Sequence, residues 1–380
     1  MSRTADGSGY FLYHSIGMFP GKEALIAEGL RKYAHLWSTP DDSQWPQALA
    51  LRHQFIEHWR KLINAQPGTL TTAENVTTAL YSLIGSLPAR YLDGRRVLVG
   101  GDCFPSLHFL LAGLAEQHGF TLDTVALRAG ESWVRDEDFR ARWTADVGIA
   151  LITQVTSTAS YRCDLPALVA HGRKIGSIVG VDVTQGIGLL PYDVQTPEVD
   201  FTVSTSLKWL SGTAGAGILQ VRAELLHECQ PLLRGWFSQP DPFSWDLNAF
   251  SYAPDARRFD HGTPSVVACA GTLPALEWHA QQDPGALLSH NRRLTGAIIA
   301  GADDLGLELV SPRDEAQRGG SVMFKVPGSA DPRTVVDRLR AADIYADCRG
   351  TTLRLSPGIV TTMPGVERML AELRRLRSNF

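Results

Sequence analysis

Lysine is scarce in this 380-residue chain: of its 36 basic residues only Lys22, Lys32, Lys61, Lys174, Lys208 and Lys325 are lysines, and the rest are arginine. With a formal charge of −4 and no dense Lys/Arg block, the chain has no basic field for a phosphate backbone, which excludes nucleic acid as an expected partner. No apolar run approaches the roughly 20 residues of a membrane span. The opening MSRTADGSGYFLYHSIGMFP lacks the basic-then-apolar order of a secretory signal, so the expectation is a soluble cytoplasmic enzyme with no membrane partner. The cysteines, Cys103, Cys163, Cys229, Cys269 and Cys348, are odd in number, scattered, and show no C-x-x-C spacing. They read as reduced thiols, neither a disulfide framework nor a zinc site, and no metal is expected. A nucleophile elbow and a Walker loop are missing too, and GTAGAG precedes an apolar strand candidate instead of following one, which argues against a nicotinamide fold.

What is present is an ordinary globular composition, 44% hydrophobic, enough for a large core and two lobes. From about residue 45 to 265, short apolar runs alternate with helical stretches, the pattern of a parallel sheet flanked by helices. The strand candidates are RRVLVGG (95–101), TLDTVAL (121–127), VGIALITQV (147–155), SIVGVDV (177–183), DFTVSTS (200–206) and GAGILQV (215–221). SLHFLLAGLAEQHG (106–119) and LPALVAHGRKIG (165–176) read as helices closed by glycine. The expected organisation is an N-terminal segment (1–44) joining the small domain and the active-site mouth, a large domain (45–265) and a small C-terminal domain (266–380). The Gly/Pro/Asp-rich passage 235–264 shows no clear element and is expected to cross the active-site mouth.

The chemistry centres on STSLKWLSGTAGAGILQV, residues 204–221, where Lys208 sits among small and apolar residues. A desolvated ammonium is the kind whose pKa falls far enough to make it a nucleophile. Asp182 closes the run SIVGVD, and Lys208 follows the run DFTVSTS 26 residues later. In a parallel sheet both stand at the carboxyl ends of strands, where such folds bind ligands. Taken singly, Asp182 is a turn or cap residue and Lys208 a surface lysine. Together they match what pyridoxal phosphate requires, an imine-forming amine and a carboxylate for the protonated ring nitrogen.

The passage VDVTQGIGLLPYDVQTPEVDFTVSTSLKWLSGTAGAGILQV resembles the cofactor-lysine region of class V, fold type I pyridoxal phosphate enzymes, a family with aminotransferases, cysteine desulfurases and kynureninases. The resemblance implies an α/β fold, with a mixed, mostly parallel seven-stranded sheet in the large domain and a smaller α+β C-terminal domain. It implies Lys208 as the cofactor-bound amine and Asp182 as partner of the ring nitrogen. The flanks resemble the kynureninase-like branch. FLYHSIGMFP would put Ser15 and Gly17 near the substrate. AENVTTAL resembles the phosphate loop, with Asn75, Val76 and Thr77 at a helix start. DCFPS would place Phe104 on the cofactor ring. GWFSQ and RFDHGTPS resemble loops whose Trp236 and Thr263 reach across a homodimer interface, and TLRLSP the strand whose arginine, here Arg354, grips an α-carboxylate. Ser157, Gln185 and Ser206 complete the cofactor contacts that the resemblance implies.

Four departures bear on the reaction. Leu207 stands where kynureninases usually place a tyrosine, Gln185 where they place a histidine, Leu107 where an aspartate follows FPS, and Gln239 ends the GWF loop. None of these side chains moves a proton near neutrality, which disfavours kynurenine cleavage. Cys348, six residues before Arg354, is too close to serve as a desulfurase nucleophile and is expected to pack beside the strand. The expected reaction is side-chain cleavage of an α-amino acid, β-elimination from a cysteine S-conjugate or a similar substrate, in specialised metabolism. The alternatives are transamination, a decarboxylative or oxidative variant, and a non-catalytic binding protein on the same fold.

Overall fold

The structure, a computed structural model, describes residues 7–326 and 331–377. Seven strands form one sheet: β1 (Leu70–Ala73), β2 (Arg96–Gly100), β3 (Thr121–Val125), β4 (Val147–Thr153), β5 (Ile178–Asp182), β6 (Phe201–Thr205) and β7 (Gly217–Val221), in the order β1-β7-β6-β5-β4-β2-β3. Neighbours from β6 to β3 run parallel, whereas β7 is antiparallel to both β6 and β1. All six strand candidates are present. The sheet is mixed because a parallel return needs a dozen or more residues, usually with a helix, and residues 206–216 are too few for one. β1, Leu-Thr-Thr-Ala, escaped the sequence reading because four residues with two threonines carry almost no apolar signal.

Along the central strands alternate side chains enter opposite clusters, as the two-residue period demands. Helices α1 (Lys22–Trp37) and α2 (Gln44–Leu62) precede β1, and Val97, Val99, Ile149, Leu151, Phe201 and Val203 pack beneath helices α3 (Val76–Ile84) and α4 (Pro105–His118). Leu98, Ala150, Ile152 and Val181 pack on the other face, where they join Phe55, Trp59, Leu168, Val169, Leu273 and Leu276. Both faces are buried, so the strands read as continuous apolar runs.

A second, all-antiparallel sheet contains β8 (Val322–Lys325), β9 (Asp347–Arg349) and β10 (Thr352–Leu355), in the order β8-β10-β9. It has its own cluster, including Leu294, Ile298, Val335, Leu339, Val366 and Met369. The early segment joins this sheet: Tyr10 bridges Tyr345 and Leu12 bridges Ser356, and Phe11 is buried in the cluster. That pairing carries His14 and Gly17 to the carboxyl edge of the large sheet. Among the described residues no helix is long and apolar enough to cross a membrane, and no group of His, Cys, Asp and Glu is arranged to hold a metal ion.

Candidate active site

A cavity of about 830 Å³ opens at the carboxyl edge of β4, β5 and β6, and its walls include Asn75, Val76, Thr77, Phe104, Ser157, Asp182, Gln185 and Lys208. Asp182 ends β5, and parallel β6 beside it leads into the turn bearing Lys208. Both side chains are desolvated. Burial draws the Lys208 ammonium down to about 8, with Asp182 opposing and Arg354 adding to the fall. Burial likewise raises the Asp182 carboxyl above its usual range, against the Thr184 contacts and Lys208. Its Oδ1 accepts the Thr184 amide N–H at 2.9 Å, but no cation forms an ion pair with it among the described residues. A buried carboxylate in this state invites a cationic hydrogen-bond donor.

The phosphate-sized end of the cavity is built by capping. Asn75 Oδ1 accepts the Thr78 N–H at 3.0 Å, and Thr78 Oγ1 accepts the Asn75 N–H at 3.3 Å, a reciprocal box at the start of α3. The Val76 and Thr77 amides, in the cavity wall, keep no acceptor among the described residues, and a helix N-terminus favours an anion there. Phe104 caps α4 immediately before Pro105, which suits the first helical position. Its ring is 46% exposed, high for phenylalanine, and its centroid lies 5.2 Å from Lys208 Nζ. A planar heterocycle with a cationic N–H and a phosphate arm therefore fits: Asp182 would hold the ring nitrogen, Val76 and Thr77 the phosphate, Phe104 the ring face and Lys208 the aldehyde carbon.

Not every expected residue lies in this wall. Ser206 turns away, donating to the Ala216 carbonyl at 2.6 Å and accepting from Trp59 Nε1 at 3.0 Å. Thr205 faces the cavity instead, a consequence of strand alternation that could have been read from β6. Ser15 is exposed and outside the wall. Gly17 lies behind the lysine turn: its N–H donates to the Leu207 carbonyl at 2.9 Å, and a Cβ there would stand 1.9 Å from the Lys208 oxygen. Its glycine identity thus has a packing reason. Gln185 ties the early segment down, donating to the His14 carbonyl at 3.1 Å and Ser157 Oγ at 3.2 Å. Trp236 packs edge-on against Trp45 and Phe237, and Thr263 is exposed, so neither lines the cavity of its own chain. Cys348 packs on the small-sheet cluster, where burial raises its thiol.

Arg354 stands one layer behind Ser157. Its Nη1 donates to the Ser157 carbonyl at 3.1 Å, while Nε and Nη2 donate to the two oxygens of Asp347 at 2.8 and 2.5 Å. His14 Nε2 also meets Asp347 Oδ1, at 2.9 Å, and its Nδ1 meets Ser356 Oγ at 2.6 Å. His14 and Asp347 were absent from the sequence reading. A signal existed: Gly350 and Thr351 close a two-residue hairpin, and counting back from it sets Arg354 opposite Asp347.

A buried amine of depressed basicity, facing an unpaired buried carboxylate across an anion-ready helix start, defines an enzyme that works through a carbonyl cofactor. The chain belongs to the class V aminotransferase family, whose model matches residues 45–352, and its cofactor is pyridoxal phosphate. It is 28% identical to a kynureninase of Deinococcus radiodurans over 84% of each chain. It is 27% identical to the isopenicillin N epimerase of Streptomyces clavuligerus, over 90% of this chain and 89% of the other. Among solved structures, a cysteine desulfurase from Thermococcus onnurineus superposes with a TM-score of 0.86 at 18% identity, covering 98% of this chain and 95% of that one. The cystine C-S lyase C-DES, bound to cysteine persulfide, superposes with a TM-score of 0.85 at 21% identity, covering 96% and 97%. These two likenesses establish the fold, type I among pyridoxal phosphate enzymes.

Proposed function

We propose that this enzyme cleaves the side chain of an α-amino acid by β-elimination, with an S-substituted cysteine as the expected kind of substrate. The observation that carries the reading is the isolation of Lys208. It is the one amine in the cavity wall, brought down to about 8, while Leu107, Leu207 and Gln185 fill the neighbouring positions. The other acidic groups in the wall are Asp182, assigned to the ring nitrogen, and Glu74, beside the start of α3. A reaction that asks for one base suits such a site better than one that needs a second proton carrier.

Bound pyridoxal phosphate supplies an aldehyde that exchanges amines and a ring that draws electron density from the substrate Cα. Lys208 would take the Cα proton at Nζ, and its lowered basicity leaves part of the amine neutral near pH 8. Asp182 would hold the ring proton in place, and the Val76 and Thr77 amides would fix the phosphate. A thiolate departs from Cβ with the C–S bonding pair and needs no further acid. Leu107, Val155, Leu207 and Ala214 give the wall an apolar stretch that excludes water. The similarity to proteins named kynureninase and isopenicillin N epimerase supports amino-acid chemistry. The same reading makes the enzyme a homodimer, in which Trp236 and Thr263 serve the neighbour's site. The large apolar side chains left in solvent, Phe109, Trp245 and Leu247, support it.

The test is to incubate the holoenzyme in D2O with S-substituted cysteines, kynurenine and the common amino acids. The expected outcome is equal release of keto acid, ammonia and thiol from an S-substituted cysteine. Recovered substrate carrying deuterium at Cα in the inverted configuration, with no ammonia, would replace the reading with epimerisation. Transfer of the amino group to an added keto acid would replace it with transamination.

A further inference from the structure

The fork of Arg354 is already engaged. Nε and Nη2 face both oxygens of Asp347, the Ser157 carbonyl takes Nη1, and the guanidinium side chain is 6% exposed. Arg354 is not in the cavity wall, although Ser157, which accepts from it, is. An arginine used to grip a substrate carboxylate offers a planar pair of N–H donors. Here one such pair is matched by a carboxylate from the same chain, held in register by the β9–β10 hairpin. Asp347 is itself 27% exposed, and His14 Nε2 offers it a second donor at 2.9 Å, so it keeps a partner if the arginine leaves.

We propose that Asp347 is a specificity-determining residue that occupies Arg354 as an internal carboxylate, so that a substrate carboxylate must displace it to reach the guanidinium. This rests on the assignment of Arg354 to the substrate carboxylate. The consequence is a site in which the carboxylate contributes little net affinity, because one charge-assisted pair is exchanged for another. The substrate class is then amino compounds selected chiefly by imine formation and by an apolar side chain against Leu107, Val155, Leu207 and Ala214. Neither Asp347 nor His14 is in the cavity wall: Asp347 acts through Arg354, and His14 supports Asp347 while its carbonyl accepts from Gln185.

The experiment uses the holoenzyme and two probes without an amine, propionate and propionamide, with binding followed by calorimetry at fixed ionic strength. The wild type is expected to favour propionate over propionamide by less than about tenfold, since a free guanidinium fork would discriminate by about a hundredfold. Asp347→Asn, which keeps an oxygen for Arg354 Nε, should tighten propionate binding by about tenfold or more and leave propionamide unchanged. Equal or weaker propionate binding in Asp347→Asn would overturn the proposal and make Asp347 only a support for Arg354. If that variant does not fold, a wild-type preference of about a hundredfold for propionate overturns it equally well. Arg354→Ala in the Asp347→Asn background separates the two layers. Tightened propionate binding that survives in the double variant, or propionate binding unchanged in both single variants, means that the carboxylate assignment itself has failed, whereas loss of binding in Arg354→Ala beside an unresponsive Asp347→Asn sinks the competition alone.

Discussion

Replacing Lys208 by methionine should stabilise the cofactor-free protein, and the gain should depend on pH in a way that reports the desolvation directly. A lysine whose basicity falls from 10.5 to about 8 on folding is a group that the folded state prefers neutral. That drop is worth about 3 kcal/mol. Between pH 8 and 10.5 the unfolded chain binds more protons at this residue than the folded one, so its contribution to stability rises with pH through that window. Below pH 8 both states are protonated and the whole penalty is present. Lys208→Met removes it, and the apolar side chain remains compatible with Leu207, Val155 and Phe104 around the cavity. Asp182 loses its stabilising charge in the exchange, which trims the gain to about 2 kcal/mol. Urea melts of apo wild type and Lys208→Met, at intervals from pH 6 to 10.5, isolate the effect, since titrating groups apart from Asp182 largely cancel in the difference. The variant should be more stable at pH 6 to 8 and the two curves should converge by pH 10.5. Equal stability at pH 7, or a gap that persists undiminished at pH 10.5, would refute the claim that the ammonium is desolvated.

Borohydride treatment of the holoenzyme should bleach its visible absorbance and leave a cofactor-mass adduct on the peptide containing Lys208; an adduct on Lys22 or another lysine, found by peptide mapping, would remove Lys208 from its role. Gly17→Ala should cost about 3 kcal/mol in thermal or urea melts and weaken cofactor retention, because the new methyl must push the lysine turn aside. Lys208→Ala and Trp236→Ala subunits, each inactive, should regain part of their activity when dissociated and reassembled together; mixed dimers verified by tag and mass that stay inactive would contradict shared sites.

The cofactor chemistry was legible because it is local. A strand ending in Asp182, a strand leading to Lys208 and a capped helix start at Asn75 are each set by a few consecutive residues, and the carboxyl edge of a parallel sheet gathers them without further instruction. The buried two-residue alternation that makes β2, β4, β5 and β6 recognisable as runs also determines that Thr205 and not Ser206 faces the cavity. β1 was not legible, since a short edge strand of threonines takes its identity from β7. Neither was the state of Arg354. Its residue type and strand could be read, but whether its fork is open depends on Asp347 across a hairpin and His14 from the far end of the chain, 333 residues from Asp347. The sequence by itself thus determined most of the elements and where the buried amine stands, because these follow from side-chain period, capping and turn chemistry. Only the tertiary structure decided which charges are paired, because pairing in a buried site depends on distances that no sequence spacing encodes.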